Sequence, residues 1–327
     1  MVNEKKLKEE VKKLVSRDDV KYVIGYEKGT YGFQVGPSFA FTPEDAEGFI
    51  FSPLCVNNLT VYLMLEEKPP LGKGEKEGTQ KVGLVVKGCD TRAVVQIIQE
   101  KGLKREDVVI VGIPCTGVID QKKIKAKFPN QMKNVDVREE GEKFVVTING
   151  TNHKIPKDEL LCEKCKHCEY PTPLIYDILI GDEVKSTKKE DYEEIKKFEK
   201  KSLKEKWEFW EKQFDRCIRC YACRNACPLC YCKECIVDQL SPQWIRRSVN
   251  LSENTVWNLI RAYHLAGRCI GCGECERACP MDIPLTKLNK KIEKDIKEMF
   301  EYTSGINAEE KPLLAMFKPN DTEETIL

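Results

Sequence analysis

Apolar positions along this chain change their spacing from one stretch to the next. From about residue 20 to 182, short Val/Ile-rich runs alternate with stretches of helical spacing, the pattern of an α/β domain. Its clearest unit is a predicted βαβ. VGLVV (82–86) is apolar throughout, as a strand buried on both faces must be. TRAVVQIIQEKG follows with helical spacing and stops at Gly102, and DVVIVGI (107–113) is a second buried strand. YVIGY near residue 22 predicts another strand, Asn57 to Leu65 a helix, and the stretch ending in KFVVTING an antiparallel pair. MVNEKKLKEEVKKLVSRDD reads as a charged amphipathic helix, and LGKGEKEGTQK (71–81) as a polar, Gly-rich loop. Residues 188–215 read as a connecting helix in which Tyr192, Ile195, Phe198, Leu203, Trp207, Trp210 and Phe214 fall near helical spacing, as a packing stripe does. The expected division is an α/β domain over 1–187, the connector, a mainly α-helical domain over 216–305 and a loosely packed tail over 306–327.

Length and charge narrow the function. A chain of 327 residues has room for two domains, and 54 basic against 53 acidic residues leave a net charge of +1, so no overall field selects nucleic acid or anionic lipid. There is no apolar run of the length a membrane span needs and no apolar signal region at the start, which gives the expectation of a soluble, cytoplasmic protein. Seventeen cysteines in tight C-x-x-C clusters, within a Lys/Glu-rich sequence, point to metal thiolates in a reducing, anaerobic cytoplasm rather than disulfides.

Two copies of one pattern carry the sharpest chemistry: Cys217-x2-Cys220-x2-Cys223-x3-Cys227-Pro228 and Cys269-x2-Cys272-x2-Cys275-x3-Cys279-Pro280. In bacterial ferredoxin runs, three closely spaced thiolates hold one 4Fe-4S cluster and the fourth, before proline, serves the other. The crossed assignment is Cys217, Cys220, Cys223 and Cys279 for one cluster, with Cys269, Cys272, Cys275 and Cys227 for the other. Zinc would need four ligands per ion and leaves the three-fold spacing unexplained. The long helical stretch between the runs, including ENTVWNLIRAYHLAG (253–267), resembles the α-helical ferredoxin domains of succinate dehydrogenase and heterodisulfide reductase subunits. Cys230, Cys232 and Cys235 are additional; structural thiols, ligands of another metal and exchanged ligands all remain open. His264, beside the second run, reads as a surface or packing histidine.

Six further cysteines, Cys55, Cys89, Cys115, Cys162, Cys165 and Cys168, fall in the α/β region. KGCDTR follows the first βαβ strand and GIPCTG the second, at the carboxyl ends where open parallel sheets bind ligands. LCEKCKHCEYPTP adds a third cysteine-rich loop, so the set reads as a third cluster or a redox site. Through the KGCDTRA, GIPCTG and CEKC…IYDILIGD segments, residues 20–182 resemble the beta-subunit family of deazaflavin-coenzyme-reducing hydrogenase and formate dehydrogenase. CIRCYACRNACPLCYCKEC resembles the formate dehydrogenase branch. This resemblance implies FAD and a 4Fe-4S cluster in the α/β domain, and places Lys87, Gly88, Asp90, Thr91 and Arg92 at a helix N-terminus near the flavin or its phosphates. The plainer alternative makes Asp90 an N-cap and Arg92 a surface charge. No G-x-G-x-x-G fingerprint is present, and Gly88 stands where many relatives have Pro.

These readings converge on an iron–sulfur flavoprotein electron-transfer subunit with no catalytic residue of its own. Electrons would pass between a two-electron carrier at FAD and a partner oxidoreductase of formate dehydrogenase, hydrogenase or heterodisulfide reductase type. Its partners would be that catalytic subunit and a soluble carrier: a deazaflavin, a ferredoxin or a nicotinamide. The alternatives are a stand-alone deazaflavin- or ferredoxin-dependent reductase and a flavin-free, cluster-bearing scaffold.

Overall fold

The computed structural model describes residues 4–30, 33–64, 81–129, 135–317 and 319. The chain divides into two compact units, residues 1–94 with 103–190, and residues 95–102 with 191–327. The loop expected over 71–81 lies outside the described residues except for Lys81.

The first unit is α/β. Its elements in chain order are α1 (Glu4–Val15), β1 (Val20–Lys28), β2 (Val35–Ala40), β3 (Lys81–Val86), α2 (Gly88–Gln99, its last turns belonging to the second unit), β4 (Val108–Gly112), α3 (Gln121–Lys127), β5 (Val135–Glu140), β6 (Lys143–Ile148), β7 (Thr151–Pro156), the one-turn helices α4 (Lys157–Leu160) and α5 (Glu163–Lys166), and β8 (Ile178–Leu179). Five strands form one sheet in the order β2-β1-β3-β4-β8, parallel except for the β1–β2 pair. The βαβ unit stands where the apolar runs put it. A parallel sheet covered on both faces buries every residue of its central strands, and all five residues of β4 are buried. Leu7, Val11, Leu14 and Val15 of α1 fall at helical spacing and pack into the core with Val23, Val85 and Val111. The expected antiparallel pair is a three-stranded sheet, β5-β6-β7, because the chain turns back at Asn149 and Gly150, both at positive φ. The helix expected from Asn57 is a single 3-10 segment, Leu59–Leu63, capped by the Asn58 side chain, which accepts from the Thr60 amide.

The second unit is helical: α6 (Glu193–Glu199), α7 (Leu203–Asp215), α8 (Ala222–Asn225), α9 (Leu251–His264), α10 (Glu274–Arg277) and α11 (Leu285–Phe300). The single connecting helix expected over 188–215 is two helices. Ser202 starts the second with a capping box: its hydroxyl accepts from the Glu205 amide while Glu205 bonds back to the Ser202 amide, which restarts the hydrogen-bond ladder. The aromatic stripe divides accordingly. Phe198, Phe209, Trp210 and Phe214 pack ring against ring, whereas Leu203 and Trp207 face solvent. The expected tail is anchored in part: the Asn307 carbonyl accepts from Gln99 at 2.7 Å, and Leu313 packs on Gly267. Among the described residues no helix is long and apolar enough to cross a membrane.

Candidate metal centres

The two cysteine runs of the second unit adopt one backbone twice. Arg219 and Tyr221 lie between the first three cysteines of run one, and Gly271 and Gly273 occupy the same two places in run two. All four residues are left-handed, with φ of 53°, 58°, 67° and 69°. Each run then enters a single helical turn, α8 or α10, and leaves it at Cys227-Pro228 or Cys279-Pro280. Left-handed residues turn successive cysteines inward, and glycine does this without a Cβ clash. Run one does it with Arg219 and Tyr221, held by tertiary bonds. Arg219 donates to the Tyr221 hydroxyl and to the carbonyls of Glu253 and Arg246, and Tyr221 packs edge-on against Trp257.

The thiols sort as the crossed pattern requires. Burial pushes the Cys223 thiol up, opposed by Arg261, and the further upward influences come from Cys217, Cys279 and Cys220. Burial pushes Cys269 up to about 12, with Glu293, Cys275 and Cys227 adding to it. Cys279 therefore stands with the first run and Cys227 with the second. Cys275 and Cys279 also pack with Cys217 and Cys223 in one cluster with Ile283 and Leu285. Among the described residues no three cysteine sulfurs lie within 4.8 Å of one another. A zinc ion with Zn–S bonds near 2.3 Å would hold its sulfurs about 3.8 Å apart. The wider spacing and the all-thiol donor set fit a larger inorganic core, as a 4Fe-4S cubane is.

Helix α9 braces both runs from inside. Asn254, Trp257, Asn258 and Arg261 share its buried face. The Asn254 amide donates to the carbonyls of Phe214 and Cys217, and Arg261 donates to the carbonyl of Cys223. On α11, the buried Asn289 amide donates to the Cys275 sulfur at 3.5 Å. Of the additional cysteines, Cys230 donates to the Cys227 sulfur, which holds Cys227 below the ordinary thiol range and Cys230 above it. Cys235 bonds to Arg224, and Cys232 is exposed. His264 is exposed, and its carbonyl accepts from Arg268. Arg268, beside Cys269, makes a paired bond to Glu100 with Tyr231 bonded to the same carboxylate.

In the first unit four thiols come together. Burial is the main influence raising Cys115, followed by Cys165 and Cys89; Cys168 in turn acts on Cys89, and Cys165 on Cys168. Cys89 follows the carboxyl end of β3 and Cys115 that of β4, as the sheet topology requires. The Cys165 sulfur also accepts from the Val118 amide at 3.4 Å. Cys55 is engaged in its own turn: its sulfur accepts from the Ser52 amide, and burial pushes it up to about 11. Cys162 opens α5 and its amide donates to the Val118 carbonyl.

The five residues expected at a flavin are enclosed. The Lys87 ammonium is 2.9 Å from the Asp90 carboxylate and bonds to the Tyr26 hydroxyl and the Asn57 carbonyl. Burial alone would lower its pKa, but Asp90, Cys89 and Cys115 outweigh it and hold Lys87 above its ordinary value. Asp90 accepts from the Lys87 amide, and Thr91 bonds to Gly88 and Leu174. The Arg92 guanidinium lies over the Tyr170 ring, and a Cβ on Gly88 would sit 1.8 Å from the Tyr170 carbonyl oxygen. The segment 170–174 thus covers the start of α2, where an open phosphate cradle was expected. Gly stands at 88 because that strap leaves no room for a side chain. Direct flavin contact does not fit these five positions; they lock the strap over the four thiols. Sequence spacing identifies the cysteines but not this cover, which joins residues far apart in the chain.

Comparison with known proteins agrees with this geometry. Residues 79–197 match the family defined by the C terminus of the coenzyme F420 hydrogenase/dehydrogenase beta subunit, and residues 216–284 match a 4Fe-4S dicluster domain. The F420-dependent formate dehydrogenase subunit beta of Methanocaldococcus jannaschii is 29% identical over 72% of this chain and 76% of its own length. That of formate dehydrogenase 1 from Methanococcus maripaludis is 25% identical over 93% of this chain and 91% of its own. Among solved structures, a chain of the xenon-derivatised F420-reducing NiFe hydrogenase complex of Methanosarcina barkeri aligns with 17% identity and a TM-score of 0.34, over 54% of this chain and 64% of that one. The chain belongs to the coenzyme F420 hydrogenase/dehydrogenase beta-subunit family and carries a 4Fe-4S dicluster ferredoxin domain in its second unit.

Proposed function

We propose that this chain is the electron-transfer beta subunit of an F420-dependent oxidoreductase of the formate dehydrogenase type, exchanging electrons between a deazaflavin carrier and a catalytic partner. The observation that carries the reading is the twice-built cysteine run, with the last cysteine of each beside the thiols of the other. Cys217, Cys220, Cys223 and Cys279 would hold one 4Fe-4S cluster, and Cys269, Cys272, Cys275 and Cys227 the other. Cys89, Cys115, Cys165 and Cys168 would hold a third, with Cys55 and Cys162 outside the set. Such clusters supply one-electron transfer. The chain encloses the thiols, places buried cations beside them and limits water.

FAD, implied by family likeness, would convert two-electron to one-electron transfer in the first unit, at positions other than 87–92. The covered start of α2 also favours the flavin-free scaffold as a second reading. A yellow chromophore released on denaturing the anaerobically purified protein supports FAD; none after reconstitution with FAD supports the scaffold.

All strong motifs supply closed four-thiolate sets, so oxidation of formate or hydrogen falls to the partner. The test offers the isolated chain a low-potential dye together with formate, hydrogen or reduced deazaflavin in turn. Dye reduction with the deazaflavin alone supports the conduit; robust formate or hydrogen oxidation by the single chain refutes it.

A further inference from the structure

One buried cation touches both C-terminal thiol sets. Arg261 is only 4% exposed, among the most enclosed charged residues of the second unit. Its Nη2 donates to the carbonyl of Cys223 at 3.0 Å, and its buried Nε–H has no hydrogen-bond partner among the described residues. The thiols on which its charge acts come from both sets: Cys223 from the first, Cys275 and Cys227 from the second, with Cys230 beside them. No carboxylate is among its leading electrostatic partners. A guanidinium buried without a carboxylate is costly unless other negative charge compensates it. Thiolates are the negative charge this site offers.

We propose that Arg261 is a cation shared by the two C-terminal clusters, setting their reduction potentials together. The proposal rests on the reading that the two runs hold two 4Fe-4S clusters. Adding one electron, from a low-potential one-electron donor, adds one unit of negative charge next to Arg261. A fixed positive charge stabilises that state, and in a water-poor site it does so more strongly than on the surface. Because Arg261 adjoins both thiol sets, the stabilisation applies to both reductions. It also weakens the mutual repulsion that would make the second electron harder to add than the first. Arg261 is a positioning and tuning residue here, one that exchanges no electron or proton itself. Asn289 provides the contrast, since its amide donates to Cys275 alone among the ligand sulfurs.

The test is anaerobic potentiometric titration of the full chain, reconstituted with iron and sulfide and followed by electron paramagnetic resonance. Arg261→Gln is expected to make each C-terminal reduction about tenfold less favourable, or about 59 mV more negative for one electron. Arg261→Lys, which keeps a point charge, is expected to stay within about threefold of wild type on both. Asn289→Ala should move one potential only. A shift confined to one cluster in Arg261→Gln, or no shift, overturns the proposal, as does a Lys variant that moves as far as Gln. If Arg261→Gln fails to take up iron, the Lys variant decides; if neither takes it up, Arg261 serves assembly and the proposal is overturned. Wild-type protein that binds zinc and no iron at these runs would end the cluster reading as well, which iron analysis distinguishes from a failure of tuning alone.

Discussion

The two cysteine runs share a backbone and differ in what surrounds it. Run two makes its left-handed turns with Gly271 and Gly273, and Cys272, Cys275 and Cys279 are buried. Run one makes the same turns with Arg219 and Tyr221, and Cys220 is exposed while Cys217, Cys223 and Cys227 are half-buried. The conformation is thus available by two routes. Glycine reaches it without side-chain strain; arginine and tyrosine reach it because buried bonds to Glu253, Arg246 and Trp257 over-determine the turn. The glycine route leaves the second run self-sufficient, whereas the first depends on α9 and the loop before it.

The largest effect expected from this contrast is in iron retention. Cys275→Ala, at a buried ligand, should remove about four irons from the full chain. Cys220→Ser, at an exposed one, should keep most of its iron, because solvent or the serine oxygen can complete the site. Iron and sulfide analysis checks both, and equal losses would erase the distinction between the runs. Exposure should show next in air: iron absorption should bleach in two phases, with the faster phase missing from a variant that lacks the first-run cluster. A single phase would mean that exposure of Cys220 does not govern oxidation.

Backbone variants sharpen the comparison at smaller magnitude. Gly271→Ala places a Cβ on a left-handed residue and should cost about 1–2 kcal/mol in denaturant unfolding. Arg219→Gly relieves the same strain in run one yet removes three buried bonds, so it should also destabilise. A stabilised Arg219→Gly protein would show that the tertiary bonds contribute nothing to the turn.

The smallest effect is a pH step. Burial would raise the Glu100 pKa, but bonds from Arg268 and Tyr231 outweigh it and hold the carboxyl below its ordinary value. The stabilisation is therefore fully present above the ordinary carboxylate range and is lost as pH falls through the lower folded value. Glu100→Gln should flatten that part of the acid unfolding profile, and an unchanged profile would assign the acid step to other groups.

The βαβ unit and both ferredoxin runs were legible in the sequence because each depends on local order: five apolar residues in succession, or cysteines at fixed intervals. What was not legible depends on distant partners. TRAVVQIIQEKG announces a helix, but nothing in KGCDTR shows that Tyr170 closes over Gly88, which turns an expected anion cradle into an enclosed anchor. Likewise the spacing in CEKCKHC makes Cys162 look equivalent to Cys165 and Cys168, while the fold groups Cys165 and Cys168 with Cys89 and Cys115. The connector reads as one amphipathic stripe, and the break at Ser202 is visible only as a capping box inside that stripe.

Because Cys279 packs with Cys217 and Cys223, the first set of four thiols is incomplete until the second run exists. A nascent chain translated only through Cys227 would offer an iron-delivery protein three thiols of one site and one of another. Neither cubane could be sealed at that stage, and a prematurely loaded core would keep a labile corner open to water. Maturation of this domain is then expected to follow completion of the second run and to be all-or-none, so that truncated products carry neither cluster rather than one.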